Sequence, residues 1–206
     1  MIVTRGHTKA EQRTMTIAKL VEISRALFAE LGYAQTSTEE IVRRAGVTRG
    51  ALYHHFGNKE GLFQAVVAAV QHDVAQRIVA EAEASTTLWA QLLAGCHAFL
   101  KASLDPEVQR ILLVDAPAVL GWEQWRKLDA EHSMQTLHWV LTALAQQGLI
   151  KVASIAAAVH LLSGAMNEAA LWIAQAEQPE TALAEAMLTL EQLLNGLRST
   201  ASVESA

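Results

Sequence analysis

The chain has 206 residues, enough for one sizeable domain or for a small domain joined to a larger one. With 51% hydrophobic and 18% charged residues, and Ala, Leu, Glu and Gln prevailing over Val, Ile, Thr and aromatics, it uses helix formers and excludes a β-rich fold. The net charge of -5 argues against a nucleic-acid binder only as an average, because residues 1–60 carry nine Lys/Arg against six Asp/Glu and the rest carries seven against fifteen. A basic head on an acidic body suits a chain in which only the head meets a polyanion, although so small an excess also fits a solvated face.

In chain order, Met1 to Gln12 is polar, holds Arg5, His7 and Lys9, and lacks the apolar run of a signal peptide. A first helix is expected from Gln12 to Leu31, with Ile17, Leu20, Val21, Ile23, Ala26, Leu27 and Phe28 at helical spacing and Gly32 as its stop. Ser37-Thr38-Glu39-Glu40 has the form of a capping box and opens a short second helix ending near Ala45. Gly46 permits a sharp turn, Thr48 is placed to cap a third short helix reaching Phe56, and Gly57-Asn58 ends that helix and caps a fourth running from Lys59 to about Ala84. Further helices fit 86–104, 107–116, 122–147, 154–175 and 180–197, nine in all, before a small polar tail from Ser199. The organisation predicted is a DNA-binding head over 1–60, a larger helical body over 61–198 and a tail over 199–206.

Two short helices joined by a glycine turn, with apolar residues on their facing sides, make a helix-turn-helix that holds its second helix outward. Ile41, Val42, Ala45, Val47, Leu52 and Phe56 have the spacing of its core, which leaves Arg49, Gly50, Tyr53 and His54 outside. A glycine within so short a helix costs about 1 kcal/mol relative to alanine, so Gly50 is expected to serve close approach, to DNA or to a neighbouring helix.

The run Gly32-Tyr33, Thr36-Ser37, Ile41, Ala45-Gly46-Val47-Thr48, Gly50, Leu52-Tyr53, His55-Phe56, Lys59 and Leu62 resembles the DNA-binding signature of the tetracycline-repressor (TetR) family over residues 12–62. Val42 stands where alanine is usual and Thr48 where serine is common, and neither removes a required chemistry. The resemblance implies an all-α regulator of double-stranded DNA whose recognition helix runs from Arg49 to Phe56. It places Arg49 to clasp guanine O6 and N7, Ala51 against a thymine methyl, and His54 at a variable position open to base contact. Tyr53, His55 and Lys59 match positions that touch phosphates, and Thr38 and Thr48, at helix starts, help orient phosphates on backbone amides. An arm of Arg5, Lys9 and Arg13 either adds minor-groove or phosphate contacts or is a solvated tail.

Beyond residue 61 only the general plan of the family remains legible. All five tryptophans lie there, and Trp122, Trp125, Asp129, His132, Thr136 and Trp139 fall at three- and four-residue steps on one helix face. Such a face reads either as a small-molecule pocket oriented by Asp129 or His132, with His160, Asn167 and Glu168 as lesser candidates, or as a packing stripe. The small residues Ala156, Ala157, Ala158, Gly164 and Ala165, with the stripe Leu183, Met187, Leu190 and Leu194, form either a homodimer surface through the last two long helices or a monomeric core.

The reading is a repressor released from a palindromic operator by an unidentified small-molecule effector, with no catalytic or metal site and no cofactor. The alternatives are a constitutive architectural DNA binder and an all-α enzyme using Asp129 and His132. The lone Cys96 reads as an inert core residue, and the longest uncharged stretch, 152–167, falls short of the roughly 18 apolar residues of a membrane span, so a cytoplasmic location is expected.

Overall fold

The computed structural model describes residues 8–199, and every side chain among them except those of 131–133. These residues form nine α-helices and one π-helical stretch: α1 (Lys9–Leu31), α2 (Thr38–Ala45), α3 (Arg49–Phe56), α4 (Lys59–Glu83), α5 (Leu88–Ala102), α6 (Pro106–Val108), the π stretch (Gln109–Asp115), α7 (Ala116–Gln146), α8 (Ile155–Gln175) and α9 (Pro179–Asn195). Among the described residues no helix is long and apolar enough to cross a membrane.

Helix α1 begins earlier than its apolar pattern predicts, because Thr8 and Glu11 cap it reciprocally. Thr8 Oγ1 accepts the Glu11 N–H at 3.2 Å, and the Glu11 carboxylate accepts the Thr8 N–H at 2.7 Å. Within α1, Ser24 and not Ala26 takes the buried position between Leu20 and Leu27. The box expected at Ser37 forms by half. Ser37 Oγ accepts the Glu40 N–H at 3.1 Å, but the Glu40 carboxylate is drawn to Arg43 and Arg44, whose charged donors outcompete a single backbone amide.

The predicted helix over 107–116 is instead the short α6, capped by Asp105, passing into the wider π stretch. α7 starts at Ala116 and breaks sharply at Gly121, whose φ of 78° and ψ of 160° leave the helical region.

The head's core does not end where the head ends. Leu20, Leu27 and Phe28 of α1, Ile41 and Ala45 of α2, and Leu52 of α3 bury against Leu62, Phe63, Val66 and Val67 of α4. The same cluster continues along α4 through Val74 and Ile78 to Trp125 and Leu128 of α7. A second cluster joins α5, α7, α8 and α9 around Leu100, Leu141, Leu144 and Ile173. It also takes in Leu183, Leu190 and Leu194, so of the two readings of this stripe the core of its own chain is the one observed. The strongest apolar row of α9 packs into its own chain first, and Met187 is half-buried. A second, outward row remains, with Leu188 and Leu193 of α9 and Leu161, Gly164, Ala165 and Trp172 of α8 exposed.

Candidate nucleic-acid interface and cavity

The second helix of the helix-turn-helix is held at three points. Thr48 Oγ1 accepts the Ala51 N–H at 3.2 Å, Leu52 is fully buried, and Gly46 turns the chain through φ 63°. At the far end α4 begins hard against α3: a Cβ on Gly61 would lie 2.2 Å from the Phe56 carbonyl oxygen, so only glycine permits this approach. Asn58 caps α4, accepting the Gly61 N–H at 2.7 Å.

With α3 so fixed, Arg49, Gly50, Tyr53 and His54 are exposed, while Ala51 and His55 are half-buried. Arg49 pairs with Glu39 of α2 at 3.0 Å, donates to the Tyr53 hydroxyl at 3.3 Å and lies 5.4 Å from the Tyr53 ring centroid. Exposed to water, these contacts are weak and readily exchanged for others. The Glu39 amide, the Thr38 hydroxyl and Arg49 hold the Glu39 carboxyl below its ordinary range. A Cβ on Gly50 would meet only Thr48 Oγ1, at 3.8 Å, so crowding within the chain does not account for this glycine.

Two expected phosphate ligands are engaged within the chain. Lys59 Nζ donates to the Tyr33 carbonyl at 2.7 Å and sits 4.1 Å from the Tyr33 ring centroid, which ties α4 to the loop after α1. Burial lowers its pKa. His55 stacks edge-on against His54 and Phe56, and its Nδ1 is buried without a hydrogen-bond partner. Burial, then the neighbouring His54 and Arg13, push the imidazole pKa below its ordinary value. Thr38, half-buried at the start of α2, donates to the Glu39 carboxylate at 3.3 Å. Lys9 and Arg13 are exposed on α1, and Arg5 lies outside the described residues.

The sequence pattern does not single out the contacts that tie the head to the body. Arg25 of α1 bridges Asp73 of α4 at 2.5 Å and Glu107 of α6 at 2.6 Å, and the paired carboxylates raise its pKa against the cost of burial. Nearby, the Asp115 carboxylate accepts the Tyr33 N–H at 2.7 Å and pairs with Arg110 at 3.3 Å. Alternating charges on separate helices leave no spacing signal, so only the fold brings them together.

In the body a cavity of about 580 Å³ opens between α4, α5, α7 and α8. Of the six residues expected to share one face, Thr136 and Trp139 line it. Trp125 and Asp129 are buried elsewhere, beside a separate void of about 40 Å³, and Trp122 stands 66% exposed at the N-terminal end, with its ring 5.0 Å from that of Trp125. The His132 side chain lies outside the described residues. The six residues therefore do not line one pocket: a 17-residue step rises about 25 Å along a helix, more than one pocket spans.

Asp129 is bound into the packing, since its Oδ2 accepts from Arg126 at 2.7 Å, Asn167 at 3.1 Å and Ser163 at 3.4 Å, joining α7 to α8. His160 and Glu168 are exposed on α8. Cys96, read as inert, is buried in the cavity wall, and burial pushes its thiol up to about 12. Among the described residues no cluster of His, Cys, Asp and Glu is arranged to hold a metal ion.

Comparison with known proteins agrees with this architecture. Residues 20–66 match the profile of bacterial regulatory proteins of the tetR family, and residues 89–197 match a tetracyclin repressor-like C-terminal domain. The Tn10 TetC protein of Escherichia coli is 28% identical over 149 residues, which is 72% of this chain and 75% of that protein. The transcriptional regulator TtgR of Pseudomonas putida is 42% identical over 57 residues, 28% of this chain and 27% of its own length.

Among solved structures, a TetR-family transcriptional regulator from Pectobacterium atrosepticum superposes with a TM-score of 0.81 at 36% identity, covering 94% of this chain and 99% of that one. FadR of Bacillus subtilis, solved with stearoyl-CoA, has a TM-score of 0.70 at 19% identity over 87% of this chain and 98% of its own, a likeness of fold alone. Members of this family are DNA-binding repressors, typically responsive to ligands and usually dimeric. The chain belongs to the TetR family of transcriptional regulators.

Proposed function

We propose that this regulator binds a palindromic operator as a homodimer and releases it when a small molecule fills the cavity between α4, α5, α7 and α8. One observation carries the reading: α4 belongs to both ends of the device. Its first turn presses on α3 through Gly61, and its last turns, from Ile78 to Glu83, wall the cavity. A ligand that displaces the last turns tilts the first, and the two recognition helices of a dimer then lose the spacing of the half-sites. The coupling required is about 1–3 kcal/mol and demands that the ligand bind the two states unequally.

In this reading Arg49 reads guanine, Ala51 meets a thymine methyl and His54 faces the bases, with Gly50 admitting the major-groove edge. Tyr53, His55 and Lys59 grip phosphates, and Thr38 and Thr48 orient them. The dimer forms through the outward row of α8 and α9, namely Leu161, Trp172, Leu188 and Leu193, around the small residues Gly164 and Ala165. A reader of bacterial genomic DNA works in the cytoplasm.

Selection of binding sites from random DNA with the purified protein tests this. A palindrome with half-sites one helical turn or a multiple apart is the expected outcome, whereas unrelated sequences would point to an architectural binder and sink the proposal. On the selected site, Arg49→Ala is expected to relax base preference by about 1–3 kcal/mol, measured as the ratio of cognate to scrambled affinity.

A further inference from the structure

Resting on the reading of the large cavity as the effector site, we infer that its effector is a lipophilic cation, an apolar body carrying an amine held at the mouth by Glu83 and Trp139. The depth of the cavity is apolar, walled by the buried Leu92, Cys96, Leu137, Val140 and Met166. The buried hydroxyl of Ser163 is already spent, donating to Asp129 at 3.4 Å and accepting from Arg126 at 3.3 Å. Arg126, which donates to Ser163 of this wall, is neutralised by Asp129 at 2.7 Å. A polar group carried to the bottom of the cavity would lose its hydration with nothing to replace it.

The mouth differs. Glu83, Gln135 and Trp139 are exposed there, Trp139 by 61%, and Thr136 is half-buried beside them. Glu83 is the one charged residue among the described lining, and no Lys or Arg stands with it. It lies in the last turn of α4, which has no basic residue and whose helix dipole adds negative potential. An indole and a carboxylate that both line the cavity on its exposed side favour an ammonium group and disfavour a carboxylate or phosphate. The acidic body, with seven Lys/Arg against fifteen Asp/Glu beyond residue 60, strengthens that preference at a distance.

Three probes on one skeleton test the charge directly: 1-pyrenemethylamine, 1-pyrenemethanol and 1-pyrenecarboxylic acid, titrated into the full-length protein with tryptophan quenching as the readout. The amine is expected to bind about tenfold tighter than the acid, with the alcohol between, the size expected from one exposed cation–π contact and one exposed ion pair. Glu83→Gln is expected to erase most of the amine's advantage and leave the alcohol unchanged. The amine, and not the acid, is expected to release the selected operator. An acid that binds as tightly as the amine overturns the inference while leaving the cavity as the effector site. Failure of all three probes to bind overturns that underlying reading itself, and an undiminished amine preference in Glu83→Gln removes the carboxylate from its role.

Discussion

The head and the body are both helical and share α4, yet they are specified in different ways. In the head, α1, α2, α3 and α4 each start on a side-chain cap, from Thr8, Ser37, Thr48 and Asn58, and the apolar residues between them pack into one core that runs on along α4 into the body. In the body α5, α6 and α8 are capped by Thr87, Asp105 and Ser154, but the π stretch, α7 and α9 begin without a side-chain cap, and the packing leaves a cavity of about 580 Å³. A unit that presents a helix to a fixed DNA groove has to be rigid. A unit that accepts a ligand has to keep room for it.

The sharpest way to break that contrast is to truncate one leucine in each region. Leu52, fully buried in the head, is surrounded on all sides, whereas Leu92 is buried but borders the cavity. Leu→Ala changes cost about 2–5 kcal/mol depending on how well the site was filled, so Leu52→Ala is expected near the upper end and Leu92→Ala near the lower. Urea unfolding of both variants measures this, and equal losses would mean that the body is packed as tightly as the head.

The joint between the regions comes next. Arg25→Ala leaves Asp73 and Glu107 facing one another without their shared cation. The group is half-buried and partly screened, so the expected loss is about 1–2 kcal/mol, between the values for exposed and buried pairs. Operator affinity should survive better than its response to an effector, which a titration of the DNA complex with and without the amine probe would separate.

The same contrast explains what the sequence made legible. Helix starts and stops in the head rest on local chemistry, a hydroxyl or amide at a cap and a glycine at a turn, and Thr48, Gly46 and Asn58 act as their residue types predict. The Ser37 box formed by half because Glu40 had two guanidinium competitors within one turn. In the body, periodicity says that a residue has an apolar side, not what covers it. Trp122 and Trp125 share a face, yet one is exposed and the other buried, and the leucine stripe of α9 went to its own core. The cavity belongs to four helices at once, so no single spacing announces it.

Gly50→Ala probes a place where the head departs from good helix design without crowding to account for it. The position has open space around it, so alanine is expected to stabilise the free protein by up to about 1 kcal/mol while weakening operator binding. Thermal unfolding and a DNA titration on the same variant give the two signs. A variant that is more stable and binds as well as the parent would show that the glycine serves neither DNA nor packing.

The smallest effect expected is that of pH on His55. Its pKa in the folded head is lowered, chiefly by burial, so between that value and the ordinary one the unfolded chain binds more protons than the folded chain. Stability therefore rises with pH across this window and is lost as pH falls through it. A phosphate beside His55 acts in the opposite direction, favouring the protonated imidazole and tightening DNA as pH falls. Unfolding and operator binding measured from pH 5.5 to 7.5 should thus trend in opposite directions, and His55→Gln should flatten both relative to the parent, whose other histidines supply the common background. A flattened stability curve with an unchanged binding curve would keep His55 in the head's packing and remove it from the phosphate contacts.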